Sequence, residues 1–253
     1  MREIKRNDTV KILTLKLPTI SALEAKKQMI HMMSQKKCSK VYTPNPQMAL
    51  GCVRSRELTE IFSRAELLIP DGTGLIMASK ILGTPLPERI TGIDTAKFIL
   101  KYAAKHDLSV AFLGARPRVA ERAAERIKRK LPSLRIVYTH HGYFDKDGEE
   151  NRLIVKELSD SAPDILFVCF GFPAQEIWID KNAKFIPSLR LCMGLGGVLD
   201  VFSGDTKRAP KAVQLMNLEW LWRTLGDKKR YRNFADIIDF IVLVFTQKSK
   251  KKH

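Results

Sequence analysis

The fold is decided by residues 164–179, which read DILFVCFGFPAQEIWI. Within this stretch, Ile165–Phe170 is a continuous apolar run of the length of one strand. A strand without polar alternation is typical of a parallel sheet that helices cover on both faces. The turn Gly171–Pro173 then leads into a helical pattern, so the stretch indicates one strand–turn–helix unit.

The same alternation of strands and helices runs along most of the chain. Strands are predicted at Lys11–Leu17, Lys40–Thr43, Glu66–Pro70, Ser109–Leu113, Arg135–Tyr138, Asp164–Phe170 and Arg190–Met193. Helices are predicted at Ser21–Lys37, Cys52–Arg64, Leu75–Leu82, Thr91–His106, Pro117–Leu131, Glu149–Ser161, Ala174–Phe185 and Lys211–Leu225. This order predicts a doubly wound α/β architecture, with a mostly parallel sheet and helices on both faces.

The composition excludes several classes of protein. The 253 residues are 45% hydrophobic, which supplies a core. No window of about 20 uninterrupted apolar residues is present to span a bilayer. The four cysteines lie far apart, so we expect neither a disulfide framework nor a zinc site. The polar N-terminus lacks the apolar segment of a signal peptide, and a reducing, cytoplasmic location is the default expectation.

The basic charge is concentrated toward the end of the sequence. The chain carries 44 Lys and Arg against 27 Asp and Glu, a net charge of +17. We expect a core of residues 1–204 and a basic, amphipathic helical appendage of residues 205–253. In the appendage, aromatic and basic side chains are interleaved ahead of the run Ile237–Phe245, which is apolar except for Asp239. This pattern suits a helix lying on an anionic membrane, and it also suits binding to a nucleic-acid backbone.

The loops that follow the strands are the candidate sites, because open α/β sheets bind ligands beyond the carboxyl ends of their strands. Thr43 and Asn45 follow a predicted strand, in a turn that Pro44 and Pro46 stiffen. Their hydroxyl and amide groups suit a phosphate or a sugar. The alternative is that Asn45 only satisfies the backbone of its own turn.

Asp71 is a second candidate, in the turn Asp71-Gly72-Thr73-Gly74. Its carboxylate would repel a phosphate, but it could bind a sugar hydroxyl or accept the proton of that hydroxyl. The alternative is that Asp71 is the N-cap of the next helix. Arg89, just ahead of another helix, could neutralise a phosphate or form a surface ion pair.

Glycine-containing turns follow other strands. Gly114 and Gly196 would let a ligand approach the backbone closely. Asp200 would bind a ribose hydroxyl, cap a helix or pair with Arg208. Gln175 lies in the first turn of a predicted helix, at the mouth of the sheet and without an evident structural role.

Two further groups of polar residues receive structural interpretations. Glu176, beside Gln175, is interpreted as a group that stabilises the dipole of its helix. His140 and His141 have no cysteine or third histidine nearby, so we expect no metal site there.

Nine stretches together resemble the WecG/TagA/CpsF family of glycosyltransferases in order and spacing. They are TPNPQ, DGTG, ERITGID, LGA, HGYF, FGFPAQEIWI, GLGGVLDVFSG, KRAP and LEWLWR, and they cover roughly residues 10–232. The resemblance implies a Rossmann-like fold and a metal-independent, inverting transfer from a UDP-sugar. It is greatest to the members that transfer N-acetylmannosamine (ManNAc) to undecaprenyl-diphosphate-linked N-acetylglucosamine (GlcNAc), early in wall teichoic acid synthesis.

With this resemblance, the candidate residues receive expected roles. Asp71 is the expected general base that deprotonates the acceptor hydroxyl. The expected substrate-binding residues are Thr43, Asn45, Arg89, Gly114, Gln175, Gly196 and Asp200. The residues expected at the acceptor diphosphate or the membrane are Arg208, Arg223, Arg230 and Arg232.

The expected partners are a UDP-sugar donor, a lipid-diphosphate acceptor and the inner face of the cytoplasmic membrane, with no cofactor and no metal. A homo-oligomer is left open.

Within the family, the donor could instead carry N-acetylmannosaminuronic acid, glucose or galactose, for enterobacterial-antigen, capsule or exopolysaccharide synthesis. A nucleic-acid-binding protein is the remote alternative, suggested by the net charge of +17. It is disfavoured because the basic residues along residues 118–130 are interleaved with glutamates, as on a solvated helix face. A nicotinamide-dependent oxidoreductase is disfavoured, because no GxGxxG follows the first strand.

Overall fold

The structure, a computed structural model, describes residues 9–210, 213 and 232–250. A six-stranded sheet, a two-stranded hairpin and flanking helices make up the described part. The strands are β1 (Thr9–Ile12), β2 (Leu15–Pro18), β3 (Ser39–Tyr42), β4 (Leu67–Leu68), β5 (Ser109–Gly114), β6 (Arg135–His140), β7 (Ile165–Cys169) and β8 (Leu191–Gly194). The helices are α1 (Ala22–Ser34), α2 (Pro46–Arg54), α3 (Arg56–Ser63), α4 (Thr73–Ile81), α5 (Gly92–Lys105), α6 (Val119–Lys130), α7 (Glu149–Ser161), α8 (Ala174–Asn182), α9 (Val198–Ser203) and α10 (Arg232–Lys250), with a 3-10 turn at Ala183–Phe185.

The six-stranded sheet is parallel throughout, in the order β4-β3-β8-β7-β5-β6. β5 and β7 are buried along their whole length. Val110 and Phe112 of β5 belong to one apolar core, whereas Ala111 and Leu113 belong to another. Because side chains alternate along a strand, the two cores lie on opposite faces of the sheet. The predicted α/β fold with helices on both faces is therefore confirmed.

The predicted strand Lys11–Leu17 is instead an antiparallel hairpin of β1 and β2. Leu13 has a φ of 55°, and the chain reverses there. The closing pair is Ile12 opposite Leu15, so the apolar residues of both strands face the same core. The sequence pattern did not distinguish this hairpin from one strand, because the turn contains neither glycine nor proline.

The predicted helix Cys52–Arg64 is instead two helices, α2 and α3. Ser55 separates them with an extended backbone, and its hydroxyl accepts a hydrogen bond from Leu58 N. This N-cap begins α3 in a new direction. α2 begins earlier than predicted, at Pro46, directly beyond Asn45.

The last helix, α10, contains the predicted apolar run Ile237–Phe245 and packs against α2 and α4. Phe240 and Val244 are buried in the core that also includes residues of α2 and α4. Apart from Val213, the predicted helix Lys211–Leu225 lies outside the described residues.

Candidate active site

Two clefts open at the carboxyl edge of the sheet. The Asp71 cleft, of about 500 Å³, lies beyond β3 and β4, and its polar lining includes Thr43, Asn45, Asp71 and Arg89. The Asp200 cleft, of about 960 Å³, lies beyond β5, β6, β7 and β8, and its lining includes Arg116, Tyr143, Lys146, Gly196 and Asp200. Gly197 lines both clefts, so the two clefts are adjacent.

Asp71 lies beyond β4 and is held from two sides. Its Oδ2 accepts a hydrogen bond of 2.9 Å from Gly92 N, at the start of α5. Its Oδ1 lies 3.3 Å from Arg89 Nη2. The helix after Asp71 has Gly72 as its N-cap and no side-chain cap, so the N-cap alternative for Asp71 is wrong. The carboxylate is instead fixed at the N-terminus of α5, inside the cleft.

Thr43 and Asp71 come from separate motifs but lie side by side. A Cβ on Gly92 would lie 3.5 Å from both Asp71 Oδ2 and Thr43 Oγ1. The loops that carry the two residues are also joined by a hydrogen bond of 2.9 Å from Asp71 N to Pro44 O. The structure therefore brings together a hydroxyl, a carboxylate and a guanidinium that the sequence places in three different loops.

Asn45 is the N-cap of α2, where its Oδ1 accepts a hydrogen bond of 3.0 Å from Met48 N. This is the structural alternative that the sequence left open. Asn45 also lines the Asp71 cleft. Because the side-chain oxygen serves the helix, we expect a ligand to be bound through the amide nitrogen.

Gln175 is buried and joins the two glycine-containing loops that follow β7 and β8. Its Oε1 accepts hydrogen bonds from Gly196 N at 2.8 Å and from Gly171 N at 3.2 Å. Its Nε2 donates to Glu176 Oε1 at 2.8 Å. Gln175 thus has a structural role that the sequence did not reveal, and it orients the loop between the two clefts.

Glu176 is fully buried, below the same loops. Its Oε2 has no hydrogen-bond partner among the residues that the structure describes. Burial raises the pKa of Glu176 to about 7, against the hydrogen bond from Gln175. A carboxylate at a helix N-terminus stabilises the helix dipole without being buried. The predicted dipole role therefore does not explain why Glu176 is buried.

Gly114 and Gly196 both need left-handed backbone, but for different reasons. Gly114 has a φ of 139°, and a Cβ there would lie 2.5 Å from Cys169 O. Its lack of a side chain lets β5 lie close to β7. Gly196 has a φ of 54°, and a Cβ there would meet no atom within 4 Å. That open space is where a ligand could approach the backbone.

The Asp200 cleft combines carboxylate, cationic and aromatic groups. Burial raises the pKa of Asp200, and the nearby charge of Arg116 opposes this shift. Lys146 Nζ donates a hydrogen bond of 2.7 Å to Gly142 O. Tyr143 is 67% exposed at the cleft. The cleft therefore offers a carboxylate, two cations and a flat aromatic surface.

The predicted basic residues of the appendage are only partly described. Arg208 makes two hydrogen bonds of 2.7 Å to Asp94, which lower the pKa of this aspartate to about 2. Arg223 and Arg230 lie outside the described residues. Arg232 is the first residue of α10.

The loop after β6 carries two aspartates, Asp145 and Asp147, on either side of Lys146. Asp147 Oδ1 lies 3.1 Å from Lys181 Nζ. Across residues 9–210 and 232–250, no group of three or more His, Cys, Asp or Glu side chains is placed to hold a metal. Within the same residues, no helix combines the length and the hydrophobicity that a membrane span requires.

One wall of the Asp71 cleft is a feature that the sequence analysis missed. α10 lines this cleft with Ile237, Ile241 and Phe245, although some 165 residues separate it from Asp71. The four-residue spacing of these apolar side chains is a helical signal. From the sequence, the pattern predicts a helix on an anionic membrane or a nucleic-acid-binding segment, and neither interpretation predicts a wall of the Asp71 cleft.

Comparison with known proteins agrees with this geometry. The profile of the glycosyl transferase WecG/TagA/CpsF family matches residues 10–253. A Bacillus spizizenii protein is 34% identical over 223 residues, which are 87% of this chain and 85% of the relative. A Staphylococcus aureus protein is 35% identical over 212 residues, 84% and 82% of the two chains. A Bacillus subtilis protein is 31% identical over 222 residues, 88% and 85%.

All three relatives bear the name N-acetylglucosaminyldiphosphoundecaprenol N-acetyl-beta-D-mannosaminyltransferase. The family match covers nearly the whole chain, and it includes every loop that builds the two clefts. The chain belongs to the WecG/TagA/CpsF family of glycosyltransferases.

Proposed function

We propose that this chain transfers ManNAc from UDP-ManNAc to the GlcNAc of undecaprenyl-diphosphate-GlcNAc, with inversion at the anomeric carbon. Three relatives at 31%, 34% and 35% identity are named for this transfer. The structural observation that carries the proposal is the position of Asp71, beside Thr43 and Arg89 in a cleft at the carboxyl edge of the sheet. The transfer would be an early step of wall teichoic acid linkage-unit synthesis.

Asp71 is the proposed general base. As the hydroxyl oxygen of GlcNAc bonds to C1 of ManNAc, the carboxylate takes the hydroxyl proton. The bond from C1 to the UDP oxygen breaks, and UDP leaves with the electron pair. A positioned base of this kind accelerates a reaction by roughly 10²–10⁴-fold. Gly92 N and Arg89 hold the carboxylate in place for this step, while Thr43 and Asn45 contact the sugars.

The donor nucleotide is proposed to occupy the Asp200 cleft. Asp200 would bind the ribose hydroxyls, and Tyr143 would stack on the base. Arg116 and Lys146 would balance the charge of the diphosphate, and the open space at Gly196 would let the diphosphate approach the backbone. Gln175 would act by holding the loop after β8 in place, so that the sugar reaches the Asp71 cleft. Because Gly197 lines both clefts, the nucleotide and the transferred sugar can lie on either side of it.

The appendage is proposed to meet the acceptor at the inner face of the cytoplasmic membrane. Arg208, Arg223, Arg230 and Arg232 are the proposed cations for the acceptor diphosphate and the anionic lipids. Sedimentation with vesicles of anionic and of neutral lipid tests this association. Binding that needs anionic lipid and weakens with salt supports it, and equal binding to both vesicles contradicts it.

The activity test uses the purified chain with UDP-ManNAc and a GlcNAc-diphosphate lipid. We expect a disaccharide lipid with the inverted linkage, detected by mass and by the NMR coupling at C1. UDP-ManNAcA, UDP-glucose and UDP-galactose are the competing donors. A higher kcat/KM with any of them would contradict the ManNAc assignment but not the family.

A further inference from the structure

One wall of the Asp71 cleft is apolar and is built by two helices. α4 contributes Met77 and Ile81, which lie four residues apart and so share one helix face. α10 contributes Ile237, Ile241 and Phe245, with the same spacing. We call this wall the α4–α10 groove. Met77, Ile241 and Phe245 remain 59%, 43% and 54% exposed, so these three apolar side chains are accessible from the cleft.

The α4–α10 groove and the polar residues around Asp71 line the same cleft. At one end are the carboxylate of Asp71, the guanidinium of Arg89 and the hydroxyl of Thr43. Along the other side, the side chains of the α4–α10 groove are apolar, and the one carboxylate that α10 adds to the lining, Asp236, accepts a hydrogen bond from Arg54. A nucleotide or a free sugar would leave these side chains in water. The ligand that matches the cleft carries a polar head covalently joined to an apolar chain.

Resting on the proposed function, we propose that the α4–α10 groove binds the isoprenoid chain of the acceptor, at the end next to its diphosphate. The stretch from Ile237 to Phe245 is about 12 Å long in a helix. It accommodates the first few isoprene units, and the rest of the chain continues beyond the groove. Burial of each unit against these side chains removes apolar surface from water and strengthens binding.

The groove exists before any ligand binds, because α10 is held along its length. Arg54 of α2 makes hydrogen bonds of 2.9 Å to both Asp236 and Asp239. Near the other end, Gln247 binds two backbone groups of the β1–β2 hairpin, at 2.8 and 2.7 Å. Little ordering is therefore needed on binding, which favours affinity.

A membrane surface or a second copy of the chain would cover a different face of α10. Ile238 and Val242 are 63% and 57% exposed and lie outside the cleft lining. A flat partner on this outward face does not fill the space between α4 and α10. A flexible chain attached to a head group near Asp71 does fill it.

The test measures acceptor binding in solution, without detergent or membrane. The probes are GlcNAc-diphosphates that carry one, two, three or four isoprene units, and Kd is measured by calorimetry in the presence of UDP. For the unmodified chain, we expect Kd to fall by about tenfold per added unit until the groove is filled. In Ile241→Ser/Phe245→Ser, the dependence on chain length should be largely lost, while Kd for the one-unit acceptor stays within about threefold.

The matched control is Ile238→Ser/Val242→Ser, on the outward face of the same helix. It should keep the full dependence on chain length. Met77→Ser, in the facing helix, should weaken the dependence without any change in α10. This variant keeps the test valid if the double variant in α10 does not fold, which circular dichroism would show.

A Kd that is independent of chain length in the unmodified chain would overturn the groove. The groove would also be overturned if Met77→Ser and Ile241→Ser/Phe245→Ser both kept the full dependence of Kd on chain length. Loss of this dependence in the control Ile238→Ser/Val242→Ser would overturn it as well. Turnover of UDP-ManNAc is measured on the same samples. Normal turnover with a length-independent Kd leaves the proposed function intact and removes the groove. A length-dependent Kd without turnover supports the groove and contradicts the donor assignment.

Discussion

At the scale of single residues, Asp71→Asn isolates the proposed proton transfer. Asparagine keeps an oxygen that can accept the hydrogen bond from Gly92 N, but it cannot take a proton from the acceptor. We expect kcat to fall by about 10²–10⁴-fold, while Kd for UDP-ManNAc changes only a few-fold. Single-turnover kinetics and calorimetry check the two quantities.

The control for this prediction is Asp147→Asn, which removes an exposed carboxylate that pairs with Lys181. It should leave kcat and Kd unchanged. Turnover close to normal in Asp71→Asn would rule out Asp71 as the base, and the proposed mechanism with it.

Glu176 predicts a pH dependence of stability. Its pKa is about 7 in the folded chain and near 4.5 in the unfolded chain, because burial disfavours the charged form. The folded state therefore holds its proton more tightly, and this contribution to the free energy of unfolding is lost as pH rises from about 4.5 through about 7. In Glu176→Gln, that loss should be absent. Relative to the unmodified chain, the variant should gain about 3 kcal/mol between pH 4 and pH 8.

Urea unfolding at both pH values measures this difference. Glu125→Gln, on the exposed side of α6, is the control and should show no such gain. A Glu176→Gln variant whose stability follows the unmodified chain at every pH would contradict the raised pKa.

At the scale of elements, the two glycines of the sheet edge should respond differently to alanine. Gly114→Ala brings a Cβ to 2.5 Å from Cys169 O and forces β5 away from β7, so we expect a loss above about 3 kcal/mol in the free energy of unfolding. Gly196→Ala meets no atom and only strains the backbone, which costs about 1–2 kcal/mol. Denaturant titrations measure both. Equal losses would show that the close approach of β5 and β7 does not require Gly114.

At the scale of the whole molecule, deletion of residues 205–253 should affect both activity and stability. Phe240 and Val244 of α10 are buried against the core, and each contributes about 1.5–3 kcal/mol by burial. We therefore expect a folded core with a lower urea midpoint and no transfer to a lipid-linked acceptor. Deletion of residues 251–253 alone is the control. A truncated chain with an unchanged midpoint would contradict the contribution of α10 to the core.

The metal requirement is also a property of the whole site. Because we expect arginine, lysine and backbone N–H groups to balance the charge of the leaving diphosphate, EDTA should change kcat/KM less than about twofold. Assays with and without added Mg²⁺ or Mn²⁺ check this expectation. A strict need for either ion would contradict it, and would direct attention to Asp145 and Asp147 beside the Asp200 cleft.

The sequence by itself determined the class of fold and the edge of the sheet that carries the site. The run Ile165–Phe170 has no polar alternation, and only a strand buried on both faces tolerates that pattern. Once the sheet is parallel, all carboxyl ends meet at one edge, and the turns at Thr43, Asp71 and Gly196 must lie near it. These are consequences of local pattern and strand direction, so the sequence alone suffices for them.

Only the tertiary structure decided what each polar side chain contacts. Asp71 accepts a hydrogen bond from Gly92, and Gln175 joins the loops at Gly171 and Gly196, which local patterns do not encode. The return of α10 to α2 depends on contacts such as Arg54 with Asp236, which are 182 residues apart. The physical reason is that burial and hydrogen bonding act between neighbours in space, whereas propensity and periodicity act only between neighbours in sequence.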